Sequence, residues 1–128
     1  MRNIDEHKIN PVNDTLNIAV LDAPGAGGAN HKYLVTKLGW TREPDGSNAN
    51  GVWNIDFQNG IILEAGVNGL THEVLLAIVA DRLRSFQAGN FACKANACAL
   101  THIEEAQHWL QQRTIERMRR GVEGTHTV

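Results

Sequence analysis

The residues best able to do chemistry lie along one helical stripe near the end of the chain. Asn96, Ala99, Ile103, Ala106, Leu110, Arg113 and Arg117 follow alternating steps of three and four, the spacing of a buried helical seam. That seam opens with an amide and closes with two guanidinium groups. A seam excludes water, so an arginine in it requires an anion, either a carboxylate or a phosphate-bearing ligand. From Arg113 to Arg120 there are four arginines and one acid, Glu116. Arg113, Arg117 and Arg120 form one ridge, and guanidinium forks suit phosphate oxygens. The plainer account is that these cations offset the dipole at a helix C-terminus and pair with nearby acids at the surface. Phe86 could stack on a base and Asn96 could read a base edge; the alternatives are core packing and helix capping.

Other constellations are incomplete. Gly25-Ala26-Gly27-Gly28-Ala29-Asn30 follows an apolar run, but Asn30 stands where a dinucleotide fingerprint needs its third glycine, so a tight turn is expected, with a phosphate-touching backbone nest as the alternative. Cys93, Cys98 and His102 lack a fourth metal ligand and a common face. Glu105-x-x-His108 lacks the second such pair that a di-iron bundle needs, since His72-Glu73 has the wrong spacing. Buried thiols and solvated histidines are expected instead, with no metal and no cofactor. Ser47 and Ser85 are the only serines, and neither sits in a nucleophile-elbow context. No catalytic residue is assigned.

The elements that position the stripe follow from pattern. Leu16 to Leu21 and Tyr33 to Thr36 are expected strands, and Thr41 to Gly51 a loop. Val52 to Gln58 and Ile61 to Val67 flank Asn59-Gly60, which predicts a hairpin closed by a type I′ turn. Thr71 is a good N-cap for a helix with Leu75, Ile78, Val79, Leu83 and Phe86 on its apolar face, ending by Gly89. A longer helix is expected from about Phe91 to Arg120, closed by Gly121. The fold class is therefore α+β: a small, mainly antiparallel N-terminal sheet (about 14–67), then an antiparallel helical hairpin (about 71–121) with a long last helix. About sixteen and about thirty residues give helices of roughly 24 and 45 Å. The longer one should overhang its partner from near Gln107, and Trp109, Leu110 and the arginines then need cover, most simply from another subunit.

Composition bounds the rest. The 128 residues suit a single domain, and twelve Lys/Arg against fourteen Asp/Glu give no global field for long nucleic acid or an anionic membrane. Two cysteines make no disulfide framework. Met1 to Asn13 is charged and polar without the apolar core of a secretion signal, and no run approaches the ~20 apolar residues of a membrane span, so a soluble intracellular protein is expected.

The run Phe86-Gln87-Ala88-Gly89, Phe91-Ala92-Cys93 and Asn96, then Glu104-Glu105-Ala106-x-x-Trp109-Leu110-x-x-Arg113-Thr114-x-x-Arg117-Met118-Arg119-Arg120-Gly121-Val122-Glu123-Gly124-Thr125, resembles the phage Thoeris anti-defence sponges of the first described type. The hairpin is similar to that of the phage anti-CBASS sponge. The likeness extends upstream through Ala65-Gly66-Val67-Asn68-Gly69 and the Gly25-to-Asn30 loop. It implies a non-enzymatic protein in the infected host's cytoplasm that captures glycocyclic ADP-ribose isomers and, in hexameric members, cyclic di- and trinucleotides. It places the signal pocket at Phe86, Asn96, Arg113 and Arg117, and the overhanging long helix, with Trp109 and Leu110 in need of cover, favours a hexamer, a trimer of dimers, over a dimer. An enzyme degrading the same messenger and a structural or nucleic-acid-binding hairpin are the competing readings. Asn96 and Arg113 are ~26 Å apart along one helix, so one chain cannot close such a pocket around a compact nucleotide.

Overall fold

Backbone pairing in the first half of the chain follows sequence order. The computed structural model describes residues 1–37 and 51–128, and the expected loop at 41–50 lies outside them. β1 (Arg2–Ile4), β2 (Leu16–Val20), β3 (Lys32–Lys37) and β4 (Val52–Asp56) form an antiparallel sheet in the order β1-β2-β3-β4. Val20 pairs with Tyr33 and Tyr33 with Ile55. Val20 is fully buried there, and Tyr33 meets Phe57 edge-on at 5.6 Å. The expected α+β class is borne out by this sheet and the helices that follow it.

Two elements come from sequence that showed no periodic signal. β1 is three residues long and pairs through its backbone, which leaves no alternation to read. α1 (Pro11–Asp14) starts at Asn10, whose side chain accepts the Asn13 N–H at 2.9 Å, with proline in the first turn.

The expected hairpin at Asn59-Gly60 does not form. A type I′ turn needs positive φ at both central residues, and among the described residues only glycines have it: Gly60 at 92°, but not Asn59. The Asn59 carboxamide instead accepts the Ala26 N–H. Ile61 to Val67 is therefore no strand; Ile62–Ala65 makes a short helix, α2, closed at Gly66 with φ 69°. The chain divides into two compact units, Met1–Gly60 and Ile61–Val128.

Within the first unit, Gly25 to Asn30 is the tight turn expected. Gly25 N–H donates to Ala29 O and Gly28 N–H to Gly25 O, with Gly27 and Gly28 at φ 73° and 77°. The turn is tied down by Asp22, whose carboxylate accepts the His31 N–H at 3.0 Å and the Lys32 N–H at 3.2 Å. Partial burial alone would raise this carboxyl, but the N–H donors outweigh it and hold it below its ordinary 3.8. A depressed folded value means that the contribution is complete above 3.8 and disappears as pH falls through the lowered one. Asp22→Asn should accordingly be less stable than the parent near neutrality, with the gap closing in thermal melts as the pH drops below 3.8. A gap independent of pH would sink this account.

In the second unit, α3 (His72–Gln87) begins where expected: Thr71 Oγ1 accepts the Val74 N–H at 3.3 Å. Such a cap contributes about 1 kcal/mol. α4 runs Lys94–Arg119, 26 residues or about 39 Å, rather than from Phe91. The cause is Cys93, which takes extended geometry and accepts the Asn96 N–H on its sulfur at 3.4 Å, leaving Phe91 and Ala92 in the connection. The far end closes on Gly121 (φ 70°), with the Val122 N–H on Arg117 O, a Schellman ending.

The overhang expected from Gln107 is corrected by the alignment of the helices. Arg84 bonds Glu104 at 3.1 Å, and Glu73 at the start of α3 shares a cleft with Gln111, Thr114 and Ile115. α3 therefore accompanies α4 almost to its last turn. The unmatched residues of α4 fall mostly at its N-terminal end, where the connection folds back. Ala80 of α3 is fully buried, whereas Val74, Ile78, Trp109, Ile115 and Met118 remain exposed.

Candidate ligand-binding site

The stripe read from the sequence is confirmed in period and shifted in detail. Asn96, Leu100, Ile103, Ala106, Leu110 and Thr114 are half-buried and Arg117 is buried, but Ala99 and Arg113 are exposed. After Leu110 a step of three and a step of four are both compatible with the period. The hydroxyl of Thr114 is cheaper to desolvate than a guanidinium, so Thr114 turns inward and Arg113 stays in water.

One end of the hairpin gathers Phe86 and Asn96. Phe86, half-buried in the last turn of α3, carries the Arg82 guanidinium over its ring at 4.9 Å. Phe91 meets the same ring at 6.0 Å with planes at 66°. Asn96 Nδ2 donates to Phe91 O at 3.3 Å, and Gln87 Oε1 accepts the Cys93 N–H at 3.0 Å. Asn96 thus does cap work without being the N-cap, and it keeps its second N–H and its carbonyl oxygen. The cysteines are not buried as expected: both are exposed, Cys93 as a cap and Cys98 facing solvent.

The other end holds the arginines in two different conditions. Arg113 has neither a hydrogen bond nor an ion pair among the described residues. Arg117 is 7% exposed and encircled by the chain's own last residues. Its Nε bonds Glu123 Oε2 at 3.1 Å, Nη2 donates to Val122 O at 3.0 Å and Thr125 O at 3.2 Å, and Nη1 donates to Thr127 O. Arg120 donates to Val128 O at 2.9 Å. The cover expected from another subunit is, for Arg117, supplied within the chain.

The structure therefore brings Phe86 and Asn96 together, keeps Arg113 and Arg117 together on the last turns of α4, and leaves the two pairs ~26 Å apart. One end thus presents a ring and an amide, the other the guanidinium groups.

A family model described as Acb2/Tad1, hairpin domain, matches residues 51–114. The chain belongs to that family. Thoeris anti-defense 1 of Bacillus phage SBSphiJ7 is 51% identical to it over 72 residues, 56% of this chain and 51% of the relative. The chain spans about half the length of that curated relative. Both matches bear out the resemblance to Thoeris anti-defence sponges carried by the hairpin motifs. The family match takes in Phe86, Asn96 and Arg113 and stops before Arg117.

Sequence reasoning passed over Arg82, Phe91 and Glu123 as contributors to these two ends. Arg82 had a signal, its spacing of four from Phe86 on one helix. Glu123 lies inside the Gly121-to-Thr125 run, but nothing in that run shows that it turns back onto Arg117.

Proposed function

We propose that this family member captures a nucleotide defence signal of its bacterial host without altering it, acting in the cytoplasm of the infected cell. The two half-sites at opposite ends of one rigid hairpin carry this reading, supported by membership of the family. Antiparallel apposition of two copies sets the Phe86–Asn96 end of one against the Arg113–Arg117 end of the other, so stacking, base-reading and phosphate-binding groups meet. Glycocyclic ADP-ribose isomers fit as ligands, and cyclic di- and trinucleotides are the further candidates. The apolar side chains left exposed on α3 and α4 favour assembly past a dimer, to a hexamer built of three dimers. Capture at nanomolar affinity corresponds to about 12 kcal/mol of binding free energy, which a shared, desolvated pocket is suited to supply.

Incubating the protein with glycocyclic ADP-ribose, denaturing it and recovering the nucleotide tests the reading. Intact ligand in proportion to protein, together with a hexamer mass by light scattering, is the expected result. Fragments would establish an enzyme, and full binding by a monomer would remove the shared pocket.

A further inference from the structure

The Asn59-Gly60 pair builds no hairpin turn, and its residues stand where a different chemistry is open to them. An asparagine followed by glycine can cyclise on itself: the next backbone nitrogen attacks the side-chain carbonyl carbon, and a glycine there has no Cβ to hinder the approach. Asn59 is exposed. The Gly60 N–H, the attacking group, donates to nothing among the described residues, and Gly60 holds φ at 92°. The carboxamide is also seated. Its Oδ1 accepts the Ala26 N–H at 3.3 Å, in room that Gly25 leaves for it: a Cβ on Gly25 would lie 3.1 Å from that oxygen.

As the Gly60 nitrogen adds to Cγ, negative charge collects on Oδ1, the atom that the Ala26 N–H already meets. A donor fixed on the oxygen where charge develops favours the addition. We infer that Asn59 is a site of spontaneous deamidation in the folded protein, with the Ala26 N–H promoting ring closure. The bond from Gly60 N to Cγ forms, the proton of that N–H passes through solvent to the side-chain nitrogen, and the nitrogen leaves as ammonia. A succinimide remains, and water, the co-reactant, opens it at either carbonyl. Opening at Cγ gives aspartate, whose carboxylate still accepts from Ala26 in a charge-assisted bond. Opening at the α-carbonyl gives isoaspartate, which draws the oxygen facing Ala26 into a lengthened main chain and loosens the Gly25 turn.

The test incubates the full chain in mildly alkaline buffer, folded or in urea, and follows conversion at each asparagine by peptide mapping, with aspartate and isoaspartate peptides separated by chromatography. Asn68-Gly69 is the same dipeptide, its asparagine likewise exposed, and serves as the internal standard. In the folded chain Asn59 should convert several times faster than Asn68. In urea, where the Ala26 N–H no longer meets it, the two should convert at similar rates. Hydrogen exchange at the Ala26 amide should speed up in the isoaspartate product and stay parental in Asn59→Asp. Asn59→Gln, which would have to close a larger ring, should show no conversion at that position while Asn68 keeps its parental rate. Folded-state conversion at Asn59 no faster than at Asn68 overturns the inference, as does a preference for Asn59 that persists in urea. Conversion of Asn59→Gln at the parental rate would exclude the succinimide route and overturn it as well.

Discussion

Replacing Arg113 by alanine lowers affinity for glycocyclic ADP-ribose by about 2–4 kcal/mol, roughly thirty- to a thousandfold, with melting temperature and oligomer mass unchanged. The two halves of this expectation come from one observation: Arg113 is exposed and bonds nothing among the described residues. Removing it takes nothing from the isolated fold, whereas in the apposed pocket it would face phosphate oxygens with little water between. Arg113→Lys should recover only part of the loss, because an ammonium keeps the charge but not the planar fork that grips two oxygens. Arg119 is the control. It too is exposed, but two residues from Arg117 it stands roughly 200° round the helix, and Arg119→Ala should bind nearly as the parent does. Small, equal effects at both arginines would leave only the surface-charge account of this helix end.

What the sequence made legible was what depends on period and on local turns. α3 could be placed from Thr71 and the spacing of Leu75, Leu83 and Phe86, since capping and amphipathicity act over a few residues. The tight turn at Gly25 was legible for the same reason. The Asn59-Gly60 hairpin was misread because a two-residue signal says nothing about competing partners. Asn59 is drawn to the Ala26 N–H, and Ile62–Ala65 lacks the β-branched run that would hold a strand, so a helical turn prevails.

The candidate site shows the same limit. Asn96 and Arg113 could be placed at opposite ends of one helix by counting, and that separation was legible in full. Which side chains remain available was not. Periodicity could not choose between Arg113 and Thr114 for the inward position, and the acceptors that surround Arg117 are mostly backbone carbonyls, which every residue carries alike.

Arg117→Ala should, unlike Arg113→Ala, damage the protein before it is asked to bind anything. Its guanidinium has five N–H donors, and the chain's own acceptors occupy four: the Glu123 carboxylate and the carbonyls of Val122, Thr125 and Thr127. Deleting it removes the partner of the Glu123 carboxylate and of three carbonyls at once, for an expected loss of about 1–3 kcal/mol of folding stability and early proteolysis within residues 122–128. Lysine should rescue little, since one ammonium cannot meet acceptors spread round a planar fork. Affinity should fall as well, but by a different route. With one N–H spare, Arg117 either reaches a phosphate along that single direction or releases the tail to reach it more fully, and in both cases its contribution is tied to what Glu123 holds. Glu123→Gln separates the cases: reduced affinity means that the carboxylate orients Arg117 toward ligand, and increased affinity means that tail and phosphate compete for it. Unchanged affinity in a destabilised Arg117→Ala protein would take this residue out of the pocket and leave Arg113 as its phosphate-binding group.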